Sequence, residues 1–127
     1  MVNLDTHVLL FALNGDVTDR ERRVLAANTW SISAIVFWEL AKLAQLKRIE
    51  VDLDDAEVVR TLSSIHVWPL DLSVSLQSTR LDFRGDPADE IIAATSVVHR
   101  VPLVTRDRKI RKSRIVPLAQ ESVAPAR

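Results

Sequence analysis

Four carboxylates stand at positions where they could act together on a cation. Asp5 follows the short apolar segment VNL, and Asp107 stands two residues after another apolar segment, VPLVT. Asp89 lies in the first turn of a predicted helix, and Glu39 interrupts the largely apolar segment SAIVFWELAKLAQL. Carboxylates gathered at one place repel one another unless a cation is bound, and oxygen-only ligands suit a hard ion such as Mg²⁺ or Mn²⁺. A cation held in this way commonly serves phosphoryl transfer.

Two of these acids also have a purely structural interpretation. Glu39 could form a surface pair with Lys42, which is worth only about 0.2–0.5 kcal/mol. In the segment RGDPADEIIAATS, residues 84–96, Asp86 precedes a proline and is predicted to cap the helix by accepting from an amide near Asp89. Asp89 could return that bond in a capping box. As a metal ligand, Asp89 would instead be kept ionised by the positive end of the helix.

Alternating strands and helices must bring the acids together. The predicted strands are VNL, WSIS, HVWPL, VPLVT and RIVPL, with HVWPL at an edge because its proline cannot donate to a ladder. The predicted helices include an apolar one from Ala34 to Leu46, buried on most sides, a weaker one within residues 72–82, and one from Pro87 to His99. This pattern predicts an α/β fold: one domain with a mostly parallel, doubly wound sheet of about five short strands flanked by helices. Ligands bind beyond the carboxyl ends of such strands, where Asp5 and Asp107 would be neighbours.

Composition excludes several other kinds of site. The chain has no cysteine, so it offers neither a disulfide framework nor a thiolate metal site. Its three histidines are scattered and are interpreted as structural, and its two glycines leave no glycine-rich phosphate loop. No apolar run reaches the length of a membrane span, and the amino terminus lacks the features of a signal peptide. We therefore expect a cytoplasmic protein.

Basic residues are concentrated near the carboxyl end of the chain. The formal net charge is zero, yet residues 100–114 carry seven bases beside a single acid, Asp107. Such a strip could hold a phosphodiester backbone against an otherwise negative site, although a solvated loop is an equally good interpretation. The candidate RNA-binding residues are Arg106, Arg108, Lys109, Arg111 and Lys112.

Three longer segments carry a family resemblance. LDTHVLLFAL, SISAIVFWELAKLAQLKRIEV and DPADEIIAATSVVHRVPLVTRDRKI occur in the order, and at about the spacing, of PIN-domain proteins. Residues 2–118 look most like the VapC-type toxins of bacterial and archaeal toxin–antitoxin pairs. The resemblance implies a PIN fold that acts as a Mg²⁺- or Mn²⁺-dependent endoribonuclease. Its implied catalytic residues, which hold the metal ion, are Asp5, Glu39, Asp89 and Asp107, and its implied supporting residues are Thr6 and Thr105, with Asp86 holding the start of the helix.

The resemblance also carries expectations about partners and boundaries. It implies a homodimer, an RNA substrate, and a protein antitoxin whose carboxyl-terminal segment blocks the acidic pocket. The nuclease domain is expected over residues 1–118, followed by a partly disordered tail over residues 119–127. Glu90 departs from the pattern, because members of this subgroup often have arginine there, and it adds an anion beside the site.

Two other functions are weighed against the nuclease. One is a catalytically inactive PIN-fold binding module, which would keep the fold without turnover. The other is a receiver-like phosphoacceptor domain, which also places acids at the edge of a doubly wound sheet. A receiver requires an acidic pair after its first strand and a lysine after a later one. Here a single aspartate, Asp5, follows the first strand, and VTRD supplies an acid where the lysine would stand.

Overall fold

Four short parallel strands form the centre of the fold. The computed structural model describes residues 1–120 of the chain, and all ranges below refer to that part. The strands form one sheet in the order β3-β2-β1-β4. Their bounds are Val2–Leu4 (β1), Trp30–Ser33 (β2), His66–Trp68 (β3) and Leu103–Val104 (β4). The α/β class, the parallel sheet and the edge position of HVWPL are as predicted.

Helices connect and flank these strands. Their bounds are Thr6–Asn14 (α1), Asp19–Ala26 (α2), Ile35–Gln45 (α3), Ala56–Ser63 (α4), Leu72–Ser78 (α5), Pro87–His99 (α6) and Arg108–Arg111 (α7). Gly15 ends α1 with a φ of 75°, a left-handed conformation that glycine adopts without strain. The helix predicted within residues 72–82 is present but ends at Ser78.

The predicted strand RIVPL is not a strand in the structure, so the expected five strands become four in the described part of the chain. Only one isolated bridge forms there, between Leu103 and Leu118. Side chains compete for the amides of the segment: the Asp82 carboxylate accepts from the Arg114 amide at 2.7 Å, and the Ser113 hydroxyl accepts from those of Ile115 and Val116. These amides are therefore not free to extend a ladder.

The predicted burial of the apolar helix on most sides is also wrong. Helix α3 buries Val36 and Leu40 against the core, but Phe37 is 40% exposed and Trp38 is 56% exposed. The helix has a core face and an outer face that is partly apolar. An outer face of this composition is typical of a surface that contacts another molecule.

The boundary predicted at residue 118 stays a prediction. The amide of Ala119 donates to the Leu103 carbonyl at 2.9 Å, so the chain follows β4 at least to that point. Most of the predicted tail, residues 121–127, lies outside the described residues. In the part that the structure describes, no helix is long and apolar enough to cross a membrane.

The strand order places a crevice at one end of the sheet. The chain passes from β1 to β2 to β3 on one side, then returns past β1 to form β4 on its other side. The direction of winding thus reverses between β1 and β4, which are hydrogen-bonded neighbours through Asn3 with Leu103 and Leu4 with Val104. Ligands of open α/β sheets bind beyond the carboxyl ends of the strands at such a reversal. Asp5 and Thr105 directly follow these two strands.

A buried polar network fixes helix α6 over this part of the sheet. The Asn3 amide group donates to the Ser96 hydroxyl at 3.0 Å and to the Ile92 carbonyl at 3.4 Å. The Ser31 hydroxyl lies 3.5 Å from the Asn3 side-chain oxygen. Asn3, Ser31 and Ser96 are all fully buried. These bonds set the position of α6 along β1, and therefore the position of the residues at its first turn.

We expect Asn3→Ala to lower the free energy of unfolding by about 1–3 kcal/mol, because it leaves buried polar groups of α6 and β2 without their partner. Urea unfolding followed by circular dichroism measures this change. Asn14→Ala, at the exposed end of α1, is the matched control and should change stability by less than about 0.5 kcal/mol. Equal effects of the two substitutions would contradict the role given to the network.

Candidate functional site

Asp5 is a buried carboxylate at the carboxyl end of β1. Its amide donates to the Val104 carbonyl, which ties it to β4. It occupies the N-cap position of α1, yet its side chain makes no capping hydrogen bond. Its Oδ2 accepts from the Thr105 hydroxyl at 2.6 Å, whereas its Oδ1 is buried and has no hydrogen-bond partner among residues 1–120. A buried carboxylate oxygen without a donor is costly to leave unmatched, and a bound cation would match it.

Asp107 stands at the end of the turn that follows β4. Its amide donates to the Thr105 hydroxyl at 3.0 Å, so one hydroxyl links Asp107 to Asp5. Its Oδ1 accepts from the amides of Lys109 and Ile110 at 2.8 and 3.1 Å and thereby caps α7. Thr105 therefore lies where the sequence placed a supporting residue.

Glu39 reaches the same end of the sheet from α3. Its Oε1 accepts from the hydroxyl of Thr6, a fully buried residue in the first turn of α1, at 2.5 Å. The alternative surface pair is not what the structure shows, because Lys42 donates instead to Gln45 at 3.1 Å. The Thr6 hydroxyl thus orients the carboxylate of Glu39, in the same way that the Thr105 hydroxyl orients that of Asp5.

Asp89 is the point on which the acids converge. Burial raises the pKa of this carboxyl to about 7, with further contributions from the negative charges of Asp5, Glu39, Asp107 and Asp86. The positive end of α6 was expected to keep Asp89 ionised, but burial and repulsion outweigh it. A carboxyl group with this pKa is about half protonated at neutral pH when no cation is bound. The cluster therefore retains part of a proton on Asp89 in place of the positive charge of a cation.

The predicted cap at Asp86 is only partly correct. Asp86 is the N-cap residue of α6, with a proline at the start of the helix, but its side chain accepts no capping hydrogen bond. Asp86 is exposed and lines the cleft beside Asp89 and Asp107 instead. Glu90, the departure from the family pattern, accepts from the Gly85 amide at 3.4 Å. It is not among the charges that raise the pKa of Asp89.

The donor set fits a hard divalent cation, although the coordination shell is not assembled in the structure. Within residues 1–120, no three His, Cys, Asp or Glu side chains are grouped closely enough to hold one ion as they stand. Thr6, Thr105 and the α7 amides instead hold one oxygen of Glu39, Asp5 and Asp107 respectively. The unmatched Oδ1 of Asp5 and the all-oxygen donors are what Mg²⁺ or Mn²⁺ requires.

Basic residues line the same cleft as three of the acids. This cleft has a volume of about 540 Å³ and is lined by Arg84, Gly85, Asp86, Asp89, Asp107, Arg108 and Lys109. Arg108 and Lys109 were candidates from the sequence, whereas Arg84 was missed. Other members of the basic strip are directed elsewhere: Arg111 donates to the Thr105 carbonyl at 3.2 Å, and Arg106 pairs with Glu21. Lys112 is exposed and does not line the cleft.

Comparison with known proteins shows which family and relatives this chain is similar to. The family model of the PIN domain matches residues 2–115. The chain is 35% identical over 92 residues to Ribonuclease VapC22 of Mycobacterium tuberculosis, which covers 69% of this chain and 70% of that protein.

Solved structures show the same fold at lower identity. VapBC2 from Rickettsia felis, bound to a DNA fragment from its promoter, is similar with a TM-score of 0.70 and 20% identity over 94% of this chain and 98% of that one. A toxin–antitoxin complex from Klebsiella pneumoniae gives a TM-score of 0.69 and 19% identity over 94% of this chain and 97% of that one.

We expect the raised pKa of Asp89 to appear as a pH dependence of stability in protein freed of divalent cations. Between about pH 4 and pH 7, the native Asp89 holds a proton that the unfolded chain has released, so the free energy of unfolding falls as pH rises through this window. Urea unfolding across this range, compared between the wild type and Asp89→Asn, isolates the contribution, because the variant lacks it.

Asp54→Asn, on the exposed loop before α4, serves as the control and should keep the wild-type slope. The Asp89 side-chain carbon should titrate near pH 7 in NMR spectra of the wild type. A titration near pH 4, with equal slopes in the wild type and Asp89→Asn, would show that the acids do not converge on Asp89.

Proposed function

The chain belongs to the PIN domain family, and we propose that it is an endoribonuclease, the toxin of a toxin–antitoxin pair, that hydrolyses RNA with the help of a divalent cation. The observation that carries the proposal is the buried Oδ1 of Asp5, which has no hydrogen-bond partner among residues 1–120 and lies where Thr105 links Asp5 to Asp107. The ribonuclease name of the Mycobacterium tuberculosis relative supports RNA as the substrate. Family membership favours a nuclease over the receiver-like alternative.

We propose Mg²⁺ or Mn²⁺ as the cofactor. Asp5, Glu39, Asp89 and Asp107 would hold it, and the unmatched Oδ1 of Asp5 supports this assignment. When bound, such an ion lowers the pKa of a water molecule and neutralises negative charge on the phosphate. In the hydrolysis, the water oxygen forms a bond to phosphorus while one phosphorus–oxygen bond of the RNA backbone breaks.

The residues of the chain prepare the site for this step. Thr105 and Thr6 each hold one carboxylate oxygen, of Asp5 and Glu39, so these acids have defined orientations before any ligand enters. The α7 amides do the same for Asp107. Preorganised groups of this kind lose little conformational entropy when a ligand arrives.

The basic residues of the cleft are proposed to hold the RNA backbone. Arg84, Arg108 and Lys109 are exposed and line the cleft together with Asp86, Asp89 and Asp107. The Lys109 ammonium donates to the Arg84 carbonyl at 3.4 Å, which links the loop before α6 to α7. Cations so close to an acidic centre counter the repulsion between that centre and a polyanion.

We propose a protein antitoxin and a second copy of the chain as partners. One structural relative is a toxin–antitoxin complex from Klebsiella pneumoniae, and this likeness supports a partner of this class. The exposed aromatic residues of α3, Phe37 and Trp38, directly precede Glu39 in the sequence, so a protein that covers them would also approach the site.

We expect the wild type to cleave RNA when Mn²⁺ or Mg²⁺ is present and to lose this activity in EDTA. Asp5→Asn and Asp107→Asn should each abolish cleavage, because each removes a negative ligand. Cleavage of total RNA, Mn²⁺ affinity by calorimetry and unfolding by urea are measured on the same samples. Asp54→Asn is the control and should keep activity and Mn²⁺ affinity.

Two outcomes would contradict parts of the proposal. Full cleavage by Asp5→Asn would refute the assigned site. Mn²⁺ binding by the wild type without cleavage of any RNA would favour the catalytically inactive PIN-fold binding module.

We expect Arg84→Gln and Arg108→Gln to raise the KM for RNA while kcat changes little, because they remove phosphate contacts. Each should also lower the slope of log affinity against log salt concentration by about 1. The control is Arg22→Gln, on the exposed face of α2, where Nη1 of Arg22 lies 3.7 Å from Oδ1 of Asp19. If the KM for RNA and the salt slope were unchanged in both cleft variants, Arg84 and Arg108 would not belong to the RNA interface.

A further inference from the structure

The Arg106 side chain binds Glu21 of α2 and does not line the cleft that contains Asp89 and Asp107. Its Nε and Nη2 donate to the two carboxylate oxygens of Glu21, each at 2.7 Å. Nη2 also donates to the Asp16 carbonyl at 3.2 Å, and the guanidinium lies 3.8 Å from the centre of the Phe11 ring. A bidentate pair stacked on an aromatic ring is far more restrictive than an ordinary surface ion pair.

Glu21 is prepared to receive this side chain. It lies in the first turn of α2, where its carboxylate accepts from the Thr18 amide at 2.9 Å in a capping box. Its side chain is only 12% exposed, against 41% for that of Arg106. The hydrogen bonds from Arg106 lower the pKa of Glu21, so the pair stays charged at neutral pH. The acceptor is therefore fixed before Arg106 binds to it.

The main chain of Arg106 lies between two residues of the acidic site. Thr105 donates to Asp5, and the Asp107 amide donates back to Thr105. Arg111 holds the Thr105 carbonyl from the other side at 3.2 Å. A shift of the turn at Arg106 would therefore displace the hydrogen bond to Asp5 and the Asp107 carboxylate together. The side chain of Arg106 also connects this turn to Phe11 of α1 and to Glu21 of α2.

We propose that Arg106 is a positioning residue: its bond to Glu21 holds the Thr105–Asp107 turn, and through it two carboxylates of the site, in the geometry that the reaction needs. This inference rests on the proposed nuclease function. It differs from the interpretation of Arg106 as an RNA-binding residue, because its Nε and Nη2 donors bind Glu21 and Asp16, neither of which lines the cleft.

Two measurements on the full chain test the proposal. Arg106→Met keeps the apolar contact with Phe11 but removes the donors, and should lower kcat by about tenfold to a hundredfold while KM for RNA stays within about twofold. Amide hydrogen exchange of metal-free protein should become faster at Asp107, Lys109 and Ile110, whose amides depend on the turn, and not in β1 or β2. Glu21→Gln should act in the same direction, and Arg106→Lys should restore part of kcat.

Arg22→Met is the matched control, because it removes an exposed arginine of α2 that pairs with Asp19 and not with Glu21, and it should leave kcat within about twofold of the wild type. A raised KM with unchanged kcat in Arg106→Met would identify an RNA contact and overturn the proposal. Faster exchange throughout the chain would show that Arg106 contributes only to general stability. This result would also overturn the proposal. If the wild type cleaves no RNA, the nuclease proposal fails by itself, and retained exchange protection in Arg106→Met would then refute the positioning role.

Discussion

Electrostatic repulsion between carboxylates at one end of a parallel sheet is the constraint on which the rest of the structure depends. Asp5 and Asp107 follow the neighbouring strands β1 and β4, α6 brings Asp89 to them, and α3 brings Glu39. In the absence of a cation, burial and the charges of the neighbouring acids raise the pKa of Asp89 to about 7. The proposed cation, bound at the reversal of strand winding, would relieve this cost.

Hydroxyl donors and one ion pair keep the repelling groups in place. Thr6 and Thr105 are buried and fix Glu39 and Asp5, so the acids cannot relieve their repulsion by turning into solvent. The pair of Glu21 and Arg106 anchors the turn behind them. The network of Asn3 with Ser96 holds the helix that carries Asp89. The contacts that stabilise the fold are therefore the same contacts that set the geometry of the site.

Sequence reasoning recovered the features that depend on local pattern or on family resemblance. Strand and helix order followed from apolar segments, and the edge position of β3 followed from a single proline. It failed where distant side chains decide the outcome. The amides of the segment RIVPL are taken by Ser113 and by Asp82, 32 residues away from Arg114, so no strand forms. The sequence predicted Arg106 to be part of an RNA-binding basic strip, because its partner, Glu21, is 85 residues away in the chain. Arg84 carries no local signal, since only the folded chain places it in the same cleft as Asp107.

The central claim is that the acids form one cation site and that the proton on Asp89 stands in for the cation. Titration of Mn²⁺ into the full chain by calorimetry, in buffers of different ionisation enthalpy, measures binding and proton release together. At pH 7 the account predicts release of about half a proton per ion bound, because the pKa of Asp89 is about 7, and no such release from Asp89→Asn. Absence of Mn²⁺ binding, or binding with the same proton release from the wild type and Asp89→Asn, would contradict it.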